Sequence, residues 1–362
     1  MSANGPNKTD EDKNLLSDEI ENTKNSLQTE RLDMSFGEIM NIYEDGELII
    51  NPEFQRLFRW SVEQQTRFIE SLVLGIPIPP IFVAEDDNGK WELVDGLQRV
   101  STVLSFFGLL KHAPEKNKWI MTEGDLVKNL EGYNFDTCPF KLIINIKRTV
   151  CRVEIIKWNS SMDLRYELFN RLNTGGTPLT EQEIRNCIFR GTSKRFNEYL
   201  SELSKMPDFI ELVSITKVKV EQMYLEELVL RFTSLVFNWD DVNESLSNYM
   251  TKFMETAVEN PKFDYEKFKN LFVRTIHLLS VFGKEVFLAS NSGFSTSLFE
   301  GITIGVANNI DYYEKNIDIL GDKISEIKID SEFGKYMGSA ASSKNRVKKR
   351  IQRAIKVFEI PA

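Results

Sequence analysis

The sequence predicts an α+β fold in which a small mixed sheet and its helices fill the first half of the chain and an all-helical domain follows. Two observations carry this. Short β-rich runs, among them Ile81–Glu85 and Trp91–Asp95, alternate with apolar residues at helical spacing as far as about residue 190. Beyond that point the β signal fades, and long stretches at 225–237, 265–282 and 344–358 keep helical spacing only. No repeat of fixed period is visible, which argues against a solenoid.

Taken in order, residues 1–30 are rich in Asn, Asp, Glu, Lys and Ser and are expected to form a mobile, disordered tail, so that a first domain spans 31–190 and a helical accessory domain 191–362. Ser35 is placed to cap a short helix carrying Ile39, Met40 and Ile42, which stops at Asp45-Gly46; residues 48–50 then read as a strand running into Asn51-Pro52. Ser61 and Gln64 make a capping box for a helix that buries Val62, Ile69, Leu72 and Val73 and ends at Gly75. A rigid Pro77-Ile-Pro-Pro80 connector leads into a hairpin, Ile81–Glu85 and Trp91–Asp95 joined by a turn at 86–89. The next helix is marked by Val100, Val103, Leu104 and Phe107 and closed by Gly108. A less regular stretch, 111–138, precedes two β-rich runs at 141–146 and 151–158. Ser160 or Ser161 can cap a helix whose apolar face is Leu164, Leu168, Phe169 and Leu172, and Thr180 with Glu183 makes a second capping box after Asn173-Thr-Gly-Gly-Thr-Pro178.

With 41% hydrophobic and 27% charged residues, the chain has the profile of a soluble globular protein. No apolar run approaches the ~18 residues of a membrane span, and the polar start lacks the apolar core of a signal peptide, so a cytoplasmic protein without membrane contact is expected. Cys138, Cys151 and Cys187 have no CxxC spacing and read as small core residues. His112 and His277 are the two histidines and stand far apart, which excludes a histidine-based metal nuclease; neither zinc nor haem is expected. A net charge of −9 confines any nucleic-acid contact to a local patch.

The junction Asp95-Gly-Leu-Gln-Arg99 is the leading candidate site. A strand ends there and a helix begins, so free backbone N–H groups and the helix dipole favour an anion. Gly96 permits close approach, Arg99 can fork onto a phosphate, and Gln98 can read a base or sugar or cap the helix. Gln55 and Arg56, with Arg59, stand at a helix start, where they either converge on the same anion or form surface ion pairs. Asn173, Gly175 and Gly176 offer an amide nest for phosphate or a flexible link. Glu183 reads first as a capping residue and Arg185 as an exposed helix residue. At the C-terminus Lys348, Lys349, Arg350 and Arg353 belong to a basic helix face, read as solvated or as a weak DNA contact.

The series Phe54-Gln-Arg…Trp60, Gly75-Ile-Pro-Ile-Pro-Pro-Ile81, Asp95-Gly-Leu-Gln-Arg99 and Phe169-Asn-Arg-Leu-Asn-Thr-Gly-Gly-Thr-Pro-Leu179 resembles the N-terminal domain of GmrSD-type modification-dependent restriction enzymes and related phage-defence proteins. The resemblance implies a fold similar to the ParB and sulfiredoxin superfamily, and binding and hydrolysis of a nucleoside triphosphate. The family's Asp-Gly-Gln-Gln-Arg motif falls on Asp95, Gly96, Leu97, Gln98 and Arg99, with Leu97 in place of an amide. Its upstream Gln-Arg falls on Gln55 and Arg56. By analogy with other phosphoryl-transfer sites, Asp95 is then expected to orient a water or a Mg²⁺ ion, with Arg99 and Gln98 beside it in the catalytic set. Full-length enzymes of this type add a His-Asn-His nuclease domain, for which this chain has neither the histidines nor the spacing. The expectation is therefore a triphosphatase or a nucleotide-dependent switch that meets modified or foreign DNA, a separate nuclease, or both.

Overall fold

The computed structural model describes residues 9–25, 28–50, 58–86, 88–111, 113–157, 168, 171, 180–190, 193–289, 293–338 and 340–360. The chain packs as two compact units, Met1–Pro178 and Leu179–Ala362.

The first unit begins with a helix, α1 (Asp10–Asn25), where the sequence suggests an irregular tail. Thr9 and Asp12 cap it reciprocally, the Thr9 N–H donating to Asp12 Oδ2 at 2.8 Å and the Asp12 N–H to Thr9 Oγ1 at 3.1 Å. None of its residues is buried. β1 (Thr29–Ser35) follows, unforeseen because five of its seven side chains are exposed. Ser35 caps α2 (Phe36–Glu44) through the Glu38 N–H, as expected, and β2 is the short segment Leu48–Ile49. α3 (Val62–Leu74) carries the expected capping box and ends at Gly75 in the left-handed region, φ 71°. β3 (Ile81–Glu85), β4 (Trp91–Asp95), α4 (Leu97–Phe106), α5 (Phe140–Arg148) and β5 (Val150–Ile156) complete the unit.

α5 corrects the strand expected at 141–146. Its short apolar Lys-Leu-Ile-Ile-Asn-Ile run also fits a helix face, and only Ile143 and Ile146 turn fully inward, three residues apart. The sheet has the order β1-β5-β3-β4-β2. Its pairings are antiparallel for β1 with β5 and β3 with β4, and parallel for β5 with β3 and β4 with β2. One apolar cluster, including Phe36, Ile39, Ile69, Val83, Leu104, Phe106, Ile146 and Val153, packs helices α2 to α5 against this sheet. The expected helix around 164–172 falls largely outside the described residues.

The second unit is built from α6 (Glu181–Arg190), α7 (Lys194–Ser204), α8 (Pro207–Val213), α9 (Tyr224–Leu235), α10 (Leu246–Glu259), α11 (Tyr265–Ser280), α12 (Thr296–Ala307), α13 (Ile317–Ile329) and α14 (Lys344–Val357), with shorter helical turns between them. A two-stranded ribbon, β6 (Leu288–Ala289) with β7 (Gly293–Phe294), qualifies the all-helical expectation. The unit starts before residue 191 because α6 is anchored within it. Its Arg185, expected on the surface, is fully buried, donating to Gln182 Oε1 (3.0 Å), Thr251 Oγ1 (3.1 Å) and Ser247 Oγ (2.7 Å). The capping box at its start is present: the Thr180 N–H donates to Glu183 Oε2 at 2.6 Å and the Glu183 N–H to Thr180 Oγ1 at 3.3 Å.

No helix among the described residues is long and apolar enough to cross a membrane.

Candidate functional site

The β4–α4 turn is shaped by an irregularity that the sequence does not announce. Leu93 faces Val83 across the hairpin, yet Asp95 faces Phe82, so Val94 is an extra, bulged residue. Regular alternation would put Asp95 on the buried face with Leu93. The bulge moves it to the face of Phe82, and its side chain stays 31% exposed.

Gly96 then takes φ 96°, a left-handed conformation, and caps α4 without a side chain. A Cβ here would stand 2.5 Å from Ile81 Cγ2, so both backbone angle and space require glycine. The first helical bond of α4 runs from the Val100 N–H to the Gly96 carbonyl, 2.9 Å, and the amides of residues 97–99 precede it at the positive end of the helix. Leu97, where the family motif has an amide, packs against the core cluster.

Arg99 is engaged with the protein itself. Its Nη2 donates to Asp95 Oδ2 at 2.7 Å, and its Nη1 donates to the carbonyls of Pro80, at 3.0 Å, and Pro79. The side chain is 12% exposed. The guanidinium thus clasps the proline connector to the turn and fixes the Asp95 carboxylate, a bridging use of Arg that differs from the expected fork on phosphate. Gln98 is likewise a tie: its Oε1 accepts the N–H groups of Arg59 and Trp60, 3.1 Å each. The same segment is held by Gln65 Nε2 donating to the Trp60 carbonyl (2.9 Å) and Lys116 Nζ donating to the Phe58 carbonyl (2.7 Å).

The structure therefore joins Asp95, Gly96, Gln98 and Arg99 in one turn. Gln55, Arg56, Asn173, Gly175 and Gly176 lie outside the described residues. Sequence reasoning missed the Pro79 and Pro80 carbonyls and the Val94 bulge. The proline pair was visible, but nothing local says that an arginine 19 and 20 residues later reaches it.

The basic C-terminal face is corrected. Arg350 is 1% exposed, donating through Nη1 to the carbonyls of Tyr336 (3.0 Å) and Ala341 (2.9 Å) and through Nη2 to Glu300, itself buried. Glu300 also accepts from Arg231 Nη1 at 2.6 Å, and Arg231 pairs with Glu227 at 2.7 Å. Burial pushes the Glu300 carboxyl up, but the charges of Arg350 and Arg231 outweigh it and hold the group below its ordinary value. Arg353 binds Asp330 at 2.6 Å and Glu332 at 3.2 Å. Lys349 is exposed, its Nζ 5.6 Å above the Tyr336 ring, and Lys348 is half-buried. An apolar i, i+4 stripe and a basic face look alike in sequence whether or not the basic groups meet buried acids. His277 pairs with Asp208 at 3.1 Å on the surface, Cys151 is buried, and Cys138 is half-buried.

Fold and turn together define an α+β domain in which a bulged strand presents a carboxylate beside an uncapped helix start. Residues 36–190 match the family model of the GmrSD restriction endonuclease, N-terminal domain, and this segment is a domain of that family. No curated protein and no solved structure matches the chain.

Proposed function

We propose that the first unit binds a nucleoside triphosphate at the β4–α4 turn and hydrolyses it, as part of restriction or anti-phage defence in the cytoplasm of a prokaryote. The observation that carries this reading is the Val94 bulge, which sets Asp95 beside the amides that open α4. Phosphate oxygens suit those amides, and a carboxylate beside them can orient an attacking water. Mg²⁺ takes one or two carboxylates and fills its shell with water and phosphate oxygens, a demand that Asp95 meets; bound there, it would neutralise charge on the phosphoryl group.

In this scheme Arg99 and Gln98 are positioning residues. Arg99 orients Asp95, and Gln98 pins the chain at Arg59 and Trp60. Gln55 and Arg56, which precede this pinned segment in the sequence, are the candidate phosphate contacts of the same reading. Asn173, Gly175 and Gly176 remain candidates for contact through backbone amides. The likeness to ParB and sulfiredoxin nucleotide-binding folds belongs to the same reading, and a small mixed sheet with a strand-to-helix turn is compatible with it. Lys348 and Lys349 are the remaining candidates of the C-terminal helix for a DNA backbone, and the helical unit is the candidate surface for a separate nuclease.

The test is turnover with Asp95→Asn. The asparagine keeps an oxygen for Arg99, so the fold should persist while hydrolysis falls by at least about a hundredfold. Absence of both turnover and nucleotide stabilisation in the unaltered chain, with and without modified DNA, rejects the reading. Stabilisation without turnover selects a nucleotide-dependent switch, which the full engagement of Arg99 with protein groups favours as the second reading.

A further inference from the structure

β1 forms one edge of the sheet, hydrogen-bonded on one side to β5, and its other side carries no partner strand among the described residues. An open edge of seven residues is a template for another chain unless something covers or repels it. α1, immediately before it, buries none of its residues. Leu32, at the middle of the strand, is 45% exposed. Charges on the edge commonly prevent pairing, but here they have an order: Glu30, Arg31, Leu32, Asp33.

In a continuous antiparallel sheet made by a two-fold axis perpendicular to it, directly opposed residues must share a face. The axis therefore passes through a residue rather than between two. An axis at Glu30, Arg31 or Asp33 would oppose each of these charges to its own copy. An axis at Leu32 opposes Leu32 to Leu32 and Arg31 to Asp33 of the partner strand, twice. Leu32 is also the midpoint of β1 (Thr29–Ser35), so this register alone pairs all seven residues. The flanking charges extend the pattern. Arg31 Nε already lies 2.9 Å from Glu154 Oε2, and Arg152 Nε 2.9 Å from Asp33 Oδ1. Across the axis the order would be Arg152, Asp33, the second copy's Arg31 and its Glu154, alternating in sign over four strands.

We propose that β1 is a homodimer contact, pairing antiparallel with β1 of a second copy about an axis at Leu32 to make a continuous ten-stranded sheet. The complementarity of the strand to itself selects a second copy over an unrelated peptide, whose charges need not match.

The test uses the full chain and its mass in solution at up to about 100 µM. Unaltered protein should be dimeric. Arg31→Asp leaves two carboxylates on the edge and Asp33→Arg two guanidinium groups, so each variant alone should be monomeric. An equimolar mixture of the two restores opposite charges at both positions and should recover a heterodimer. Circular dichroism of each variant checks that it is folded; the Asp33–Arg152 pair is exposed and contributes little, and Arg31 itself is exposed although its partner Glu154 is half-buried. A monomeric unaltered chain overturns the proposal. So does a dimer that survives both single changes, and so does a mixture that stays monomeric.

Discussion

Replacing Arg99 by lysine separates a clasp from a phosphate ligand. The guanidinium meets three acceptors on two segments, Asp95 Oδ2 at 2.7 Å, the Pro80 carbonyl at 3.0 Å and the Pro79 carbonyl. Lysine keeps the charge but presents it from one nitrogen, which cannot span the carboxylate and both carbonyls. Hydrogen bonds to charged groups contribute about 1.5–3 kcal/mol each, and the lysine ammonium keeps two of the three at best, so Arg99→Lys should cost about 2–3 kcal/mol. Full truncation, Arg99→Ala, should cost about 3 kcal/mol. That stays at the low end for breaking a buried pair, because Asp95 is 31% exposed and water can replace part of what is lost. For a unit of this size about 2–4 °C of melting temperature goes with each kcal/mol, which gives a fall of roughly 4–12 °C for lysine. Thermal melts and steady-state nucleotide hydrolysis of both variants read the outcome. With the clasp loosened, kcat should fall more than KM rises, since the carboxylate is misaimed while the helix amides remain. An Arg99→Lys protein with an unchanged melting temperature and a ten- to hundredfold higher KM would refute the clasp and return Arg99 to the ligand.

Gly96→Ala combines a left-handed φ of 96° with a Cβ 2.5 Å from Ile81 Cγ2, and should cost about 2–4 kcal/mol by denaturant titration. Gln98→Glu retains an oxygen for the Arg59 and Trp60 amides and should leave stability within about 1 kcal/mol, whereas Gln98→Ala strands two donors and should cost about 1–2 kcal/mol; equal losses in both would disprove the tie. Arg350→Met should destabilise by about 3–5 kcal/mol, because Glu300 is buried and loses one of its two cations, while any DNA affinity should respond instead to Lys348→Glu with Lys349→Glu. The Glu300 carboxyl is held below its ordinary value, so its stabilising contribution is full above about pH 4.3 and is lost as pH falls through the lower folded value; unaltered protein and Glu300→Gln should therefore converge in stability in acid, and a gap that widens there would contradict the assignment.

Local signals in the sequence were sufficient where the physics is local. The caps at Ser35, Ser61 with Gln64, and Thr180 with Glu183 all form, because a hydroxyl and an N–H three residues on need nothing from elsewhere. The hairpin and α4 were legible for the same reason. β1 was not: its side chains are mostly polar, and its strand character depends on β5, whose Glu154 lies 123 residues from Arg31. The run at 141–146 was ambiguous because a short apolar stretch fits both periods, and burial of Ile143 with Ile146 settled it as helix. Arg350 looked like its basic neighbours until α12 supplied Glu300 beneath it.

The candidate site divides along the same line. Asp95, Gly96 and the amides of α4 are contiguous, so a strand, a glycine and a helix read in sequence place them together. What each side chain does there depends on distant partners. Arg99 and Gln98 follow the glycine at positions that suggest ligand contact, yet both face backbone groups of the preceding segments. This changes the chemistry expected of the turn. If its arginine holds the carboxylate rather than the substrate, the positive potential at the turn comes from backbone dipoles, which are fixed and neutral overall. A triphosphate of several negative charges then needs further cations, from Arg56, from Mg²⁺ at Asp95, or from both. Binding should accordingly depend on Mg²⁺ and on Arg56 more steeply than on Arg99. Nucleotide titrations with and without Mg²⁺, on the unaltered chain and on Arg56→Gln, test that order. An affinity that ignores both would leave the helix amides as the whole site, and the domain as a binder of single phosphates.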